Sequence, residues 1–397
     1  MANEEAIGLG VVGLGRAFTL MLPTFMADER VRLVAAADPR PGARGRFEQD
    51  FGGAAYPDIG QLCRDPRVEA VYIASPHQFH AEHAEIAAAA GKAILVEKPM
   101  AINLDDCTRI VDAVRRHGTV LVVGHSHSFD GPVLHAARLL QSGRYGRVCM
   151  LNAFNYTDFL YRPRRPEELD TAQGGGVVFS QAAHQVDIAR LLMGGMVDSV
   201  TARTGRWDAG RPTEGAYGAL LGFQGGAFAT LTYSGYAHYD SDELMDGIGE
   251  MGIRKARCGH DLARQRLAGY GSPAEEARLK QESGYGGERY QAPSSQETRF
   301  HQHFGHVLVS AEGADIKLTP QGLMIYGDRE ITFEPTPKSA VPRSEVVDEI
   351  WAALRQGQPP VHDALWARAT TEVCLAILQS AAGAGGVSMR FQVPAVK

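Results

Sequence analysis

Near its start, this sequence carries residue types that a dinucleotide could use. Gly13-Leu14-Gly15 closes the apolar run GLGVVG, and Asp38 closes a second run, LVAAAD, 23 residues after Gly15. A pyrophosphate is approached by bare backbone amides at a helix start, and an acid at the end of the next strand accepts the ribose hydroxyls. Gly13, Leu14, Gly15, Arg16 and Ala17 are placed for the first task and Asp38 for the second. Phe18 stands where the G-x-G-x-x-G spacing wants its third glycine, so Asp38 carries more of the reading than the glycines do. Arg40 could hold a 2'-phosphate, but Asp38 would repel that phosphate; NAD is expected, with NADP the alternative.

These residues need elements to position them. The runs GLGVVG, RLVAAAD, AVYIAS, AILVEK and TVLVVGH read as buried parallel strands. Between them, Ala81 to Ala90 and Asn103 to His117 read as helices, each stopped by a glycine. Strand and helix in alternation predict a doubly wound α/β (Rossmann) sheet over residues 1–129. After Asp130 a helix near 132–142 leads to strands near 147–155, 197–204, 305–310 and 322–333, and Gln224-Gly225-Gly226 turns a hairpin. Residues 130–397 are therefore expected to form an α+β domain with a mostly antiparallel open sheet, closed by helices near 344–356 and 363–380. The polar stretch 257–300 reads as long loops with one short helix.

Carboxyl ends of parallel strands form the ligand crevice of such a sheet. Ser75-Pro76-His77-Gln78-Phe79-His80 ends the third strand and Glu97-Lys98-Pro99 the fourth, so Ser75, His77, His80, Glu97 and Lys98 are candidate cofactor residues. Downstream, Gly174-Gly175-Gly176 precedes Ser180-Gln181-Ala182-Ala183-His184-Gln185-Val186-Asp187. Together with the glycine turn and Glu97-Lys98-Pro99, this set resembles the Gfo/Idh/MocA oxidoreductases across essentially the whole chain. The wording FSQAAHQVDIARLL, with GHSHSFD and the polar insertion, is most similar to the phthalate dihydrodiol dehydrogenase branch.

The resemblance implies a dehydrogenase in which Lys98 and His184 serve catalysis. A neutral imidazole has the pKa to take a hydroxyl proton while hydride leaves, and Lys98 would stabilise the developing alkoxide. Asp187, one helical turn after His184, could orient the imidazole or cap a neighbouring group. Ser180 stands where the family usually has an aspartate, and His127 where relatives carry a basic residue; both, with His184, are expected to meet substrate. The branch implies oxidation of a phthalate cis-dihydrodiol to a dihydroxyphthalate. Arg162 and Arg164, in the loop Tyr156 to Pro166, would suit an anionic substrate. A sugar or inositol dehydrogenase, and a sensor that binds NAD(P) without catalysis, are the alternatives.

Composition narrows the partners. A net charge of -6, with charges interspersed, lacks the basic footprint of a nucleic-acid binder. No apolar run reaches the roughly 20 residues of a membrane span. Glu4 and Glu5 do not make a basic leader, and five scattered cysteines without CxxC suggest neither disulfides nor zinc, so a cytoplasmic location is expected. No metal is expected: His77, His80 and His83 straddle a loop and helix start, while His301, His303 and His306 have only Glu297 nearby. A small-molecule substrate and a homo-oligomer built through the C-terminal sheet complete the expectation.

Overall fold

In the computed structural model, whose described residues are 6–291 and 300–395, the N-terminal apolar runs become one parallel sheet. Its elements are β1 (Ile7–Val12), α1 (Arg16–Ala27), β2 (Val31–Ala37), α2 (Pro41–Phe51), β3 (Ala54–Tyr56), α3 (Ile59–Cys63), β4 (Ala70–Ile73), α4 (His80–Ala89), β5 (Ala93–Val96), α5 (Leu104–His117) and β6 (Leu121–Val123). The strand order is β3-β2-β1-β4-β5-β6. Every residue of β1, β4 and β5 is buried, as strands covered by helices on both faces require. The order reverses beside β1, which places the loops after β1 and β4 at the switch point where such sheets bind ligands.

Local signals set the helix ends. Asn103 caps α5 by accepting the Asp106 N–H, two acids occupy its first turn, three basic residues its last, and Gly118 leaves it at φ 63°.

The second sheet has nine strands. The rest of the chain runs α6 (Gly131–Gln141), β7 (Val148–Tyr156), α7 (Ala183–Met193), β8 (Val197–Gly205), β9 (Ala216–Phe223), β10 (Phe228–Ser234), α8 (Ala263–Ala268), α9 (Pro273–Glu282), β11 (His306–Ala311), β12 (Ala314–Thr319), β13 (Gly322–Gly327), β14 (Ile331–Pro335), α10 (Ser344–Gln356), α11 (Ala364–Gln379) and β15 (Val387–Ser388). The order is β14-β13-β12-β11-β7-β10-β9-β8-β15, antiparallel except for the β7–β10 pair. One face packs on α7, whose residues from Ala183 to Leu192 are all buried. The other face is open: Phe228, Met150, Ser310, Asp315, Tyr326 and Ile331 stand in register across six strands, and Phe228, Tyr326 and Ile331 are exposed.

Three sequence expectations change. The strand expected at 322–333 is a hairpin of β13 and β14, because residues 328–330 turn the chain, and the short, polar-alternating β12 was not foreseen. The 257–300 segment holds two helices, α8 and α9; Glu297 and its neighbours at 292–299 lie outside the described residues. Where the sequence suggests one boundary at 129/130, packing groups described residues 6–125, 277–291 and 339–368 in one unit, and 126–276, 300–338 and 369–395 in another. The chain thus returns to the first unit twice. Among the described residues no helix is long and apolar enough to cross a membrane.

Candidate active site

In the first unit the turn after β1 fits a dinucleotide. Gly13 sits at φ 90°, and a Cβ there would come within 2.8 Å of Ala74 O and Ser75 N, so only glycine serves. A side chain at Gly15 would meet nothing within 4 Å, and α1 begins there with no side-chain cap and no acid in its first turn. An uncapped helix start with open space in front is an anion site.

Asp38, buried at the end of β2, accepts the Leu14 N–H at 2.8 Å and so joins the ribose acid to the pyrophosphate turn. Burial raises its pKa, but hydrogen bonds from Arg40 and from the Leu14 amide hold it below the ordinary carboxylate value. Arg40 donates through Nε to Asp38 Oδ1 at 2.9 Å and through Nη2 to Leu14 O at 2.9 Å. Its guanidinium is therefore tied to the residue that would repel a 2'-phosphate, which favours NAD over NADP.

At the ends of β4 and β5 the expected cofactor residues separate into two groups. Ser75 and His77 are half-buried at the loop, with Ser75 Oγ 2.9 Å from His83 Nδ1. His80 is fully buried, its ring nitrogens 3.1 Å from Pro99 O and 2.9 Å from Ser75 O. Burial pushes its pKa down to about 4, so it is neutral. It fastens the Ser75 loop to the Pro99 turn from the interior, whereas the sequence reading puts it at the cofactor. Glu97 likewise turns inward, accepting the Tyr72 hydroxyl at 2.5 Å; burial raises its pKa despite that bond and the charge of Lys98. Lys98 itself is half-buried at the strand end, before a cis bond to Pro99.

The second unit holds the histidines. A π-helical turn over Val178–Ala182, carrying half-buried Ser180, leads into α7 and His184. His184 Nδ1 accepts the backbone N–H of His127 at 3.3 Å, with Ser126 Oγ at 3.4 Å. A ring nitrogen that accepts carries no proton, so the neutral His184 imidazole holds its proton on Nε2.

His127, expected to bind substrate, is instead buried in an ion cluster. Its Nδ1 lies 2.7 Å from Asp130 and its Nε2 3.3 Å from Glu250. Burial works against its charge, but Asp130 and then Glu250 raise its pKa to about 9, so the ring is an imidazolium at neutral pH. Glu250, raised by burial but hydrogen-bonded by His127 and facing Arg162, is held down to about 2. Phe304 packs on both histidines, with ring centroids 4.9 Å from His127 and 4.8 Å from His184. Asp187 accepts from Ser128 Oγ at 2.5 Å and Thr370 Oγ1 at 3.1 Å, fixing the turn that presents the His127 amide.

Of these, Ser126, Asp130, Glu250 and Phe304 were not singled out from sequence. Asp130 was detectable as the acid three residues after His127; Glu250 is 123 residues away and left no local signal.

The arginine loop also divides. Arg162 is paired with Asp158 at 2.9 Å, yet 42% of its side chain is exposed. Arg164 lies flat on Phe159, 3.7 Å from the ring centroid, and donates to Phe159 O at 2.8 Å. Its fork braces the loop, and 12% of the side chain is exposed against 42% for Arg162. Among the described residues no cluster of three or more ligating side chains suits a metal; His301 and His303 face the carbonyls of Thr336 and Ile248.

Comparison with known proteins places this geometry. Residues 7–125 match the family model described as oxidoreductase family, NAD-binding Rossmann fold, and residues 133–253 match the GFO/IDH/MocA C-terminal domain. The 1-carboxy-3-chloro-3,4-dihydroxycyclohexa-1,5-diene dehydrogenase of Comamonas testosteroni is 50% identical over 372 residues, 94% of each chain. Inositol 2-dehydrogenase 2 of Saccharopolyspora erythraea is 32% identical over 63% of this chain and 71% of its own. A crystal structure from Bordetella bronchiseptica RB50 superposes with a TM-score of 0.91 at 41% identity, covering 97% of this chain and 100% of that one.

Proposed function

The chain belongs to the GFO/IDH/MocA oxidoreductases, which bind NAD on a Rossmann domain, and on that premise we propose that it oxidises a ring-carboxylated cis-dihydrodiol to the aromatic diol. The observation that carries this reading is the 50% identity, along 94% of both chains, with a dehydrogenase of a carboxylated dihydroxycyclohexadiene. The half-exposed Arg162 supports it, since a guanidinium fork matches a ring carboxylate. A phthalate cis-dihydrodiol and its monocarboxylated analogues both belong to this class, and Arg162 would engage one carboxylate of either.

Oxidation takes a hydride from the carbinol carbon and a proton from its oxygen. Bound NAD would supply the hydride acceptor. His184, with its proton on Nε2, would donate to the carbinol oxygen and orient it; Lys98, once it has released its own ammonium proton to solvent, would take the hydroxyl proton. On this reading the base role that the family resemblance gives to His184 falls to Lys98. The resulting hydroxydienone shifts one ring proton to its carbonyl oxygen, and the aromaticity gained makes the oxidation run forward. Ser180, one helical turn before His184, adds a neutral hydrogen-bonding group for the second hydroxyl.

Initial rates of NAD reduction at 340 nm across carboxylated dihydrodiols, uncharged dihydrodiols, polyols and hydroxy acids test the reading. Turnover is expected with the carboxylated dihydrodiols and a far higher KM with the uncharged ones. Comparable efficiency on inositol or another polyol would overturn it in favour of the polyol dehydrogenases among the relatives. A cytoplasmic enzyme that associates through the open face bearing Phe228, Tyr326 and Ile331 completes the proposal. A monomer in size-exclusion chromatography with light scattering would rule that association out.

A further inference from the structure

Phe18 replaces the glycine that lets the first helix approach the first strand, and the structure shows how the chain accommodates it. The ring is fully buried, and four more aromatic rings surround the seam between α1 and α2. Phe47 and Phe51 come from α2, with centroids 6.5 Å from Phe18 in both cases. Tyr285 comes from the turn after α9, far along the chain, and meets Phe18 edge-on at 5.2 Å and Phe51 stacked at 6.3 Å. Tyr290 closes over Tyr285 at 5.1 Å. Tyr285 is itself 0% exposed, and its hydroxyl donates to Asp50 on α2 at 2.8 Å.

The turn is also pressed onto the start of α2. Gly286, at φ 74°, is so close that a Cβ would stand 2.6 Å from the Ala43 Cα. Ala43 lies in the first turn of α2, and the N-cap residue just before that helix is Arg40, the partner of Asp38. Asp38 in turn holds the Leu14 amide in the pyrophosphate turn. A continuous set of packed side chains and hydrogen bonds therefore runs from Tyr285 and Gly286 through α2 to Asp38 and Arg40, the two groups expected at the adenosine half of NAD.

We propose that the turn 283–287, with Tyr285 as its anchor, is a positioning element of the NAD site: it fixes α2 against α1 in place of the missing third glycine and so sets Asp38 and Arg40. The polar insertion that looked like loop in the sequence is, at this point, part of the cofactor domain. Tyr285 touches no part of the dinucleotide on this account; it acts through α2.

Fluorescence titration of the full-length protein with NADH, alongside thermal melting with and without NADH, tests this independently of any substrate. Tyr285→Ala is expected to weaken NADH binding about tenfold or more, since a displacement of about 1 Å in a binding group has consequences of that order, and to shrink the NADH-induced rise in Tm. Tyr285→Phe keeps the ring packing and should restore most of the affinity. A folded Tyr285→Ala protein with a lowered Tm but unchanged NADH affinity would mean that the ring only stabilises the fold, and would overturn the proposal. Should that variant fail to fold, Gly286→Ala, which pushes the turn off Ala43 while leaving Tyr285 intact, carries the same expectation. Unchanged NADH affinity in Gly286→Ala would count against the proposal equally.

Discussion

The backbone N–H of His127 donates to Nδ1 of His184 across 3.3 Å, and this one contact fixes which face of the imidazole is a donor. A glutamine amide can place an N–H near the position of Nε2, whereas an asparagine amide reaches only as far as Nδ1. His184→Gln should therefore keep a measurable fraction of kcat, within about 10²-fold of wild type, while His184→Asn and His184→Ala fall further. Equal loss in all three, with a pH–rate limb abolished, would return the base role to His184.

The ion cluster beneath His184 makes stability depend on pH in two directions. His127 has its pKa raised to about 9 in the folded protein, so its contribution is fully present below the unfolded imidazole value and is lost as pH rises through about 9. Glu250, depressed to about 2, contributes above the ordinary glutamate value and loses that contribution as pH falls through about 2. Melting temperature against pH should thus decline between about 6.5 and 9, and His127→Gln should remove much of that alkaline decline. Removing one partner of a buried pair costs about 3 kcal/mol, so the variant should also melt several degrees lower near neutral pH. An unchanged alkaline slope would show that His127 is not charged in the fold.

Cofactor choice rests on Asp38. Its carboxylate, once replaced in Asp38→Ala, no longer accepts ribose hydroxyls, and hydrogen bonds to a charged group contribute about 1.5–3 kcal/mol. KM for NAD should rise about tenfold or more, while Arg40, released from its 2.9 Å bond to Asp38, becomes available to a 2'-phosphate. The ratio of kcat/KM for NADP to that for NAD should increase, and a ratio that stays constant would separate Arg40 from cofactor selection.

The two arginines of the 156–166 loop should respond differently. Arg162→Ala is expected to raise KM for a carboxylated dihydrodiol about tenfold to a hundredfold and to spare an uncharged one. Arg164→Ala removes a stacked ring contact and a bond to Phe159 O, and should cost about 1–2 kcal/mol of stability with no change in that discrimination. If Arg164→Ala instead alters the preference for carboxylates, its fork reaches substrate after all.

These residues also show how far sequence reasoning reaches. Asp38 was readable because strand, acid and glycine turn lie within one β-α-β unit, where spacing and geometry are locked together. His184 and Lys98 stood out in the sequence only as part of a family pattern. The contact of Arg164 with Phe159 was not legible, because five residues of spacing cannot tell a guanidinium facing outward from one folded back onto that ring. Glu250 and Tyr285 were invisible for a different reason: each does its work on residues more than a hundred positions away, and no local periodicity records such a contact. The full burial of His80 was likewise illegible, since only the tertiary structure sets it.

The return of residues 339–368 to the first unit has a bearing on how the protein is made. Val123 on edge strand β6 donates its N–H to His362 O at 2.8 Å, and Ala364 and Ala367 belong to the same apolar cluster as Leu121 and Val123. During synthesis the strands of the nucleotide-binding sheet therefore leave the ribosome well before the segment that completes it. For some 200 residues of translation its β6 edge waits for the segment that will cover it. A gene truncated after residue 129 would yield that waiting state permanently, so a chaperone-dependent or aggregating fragment, and not an autonomous NAD-binding module, is what such a construction should produce.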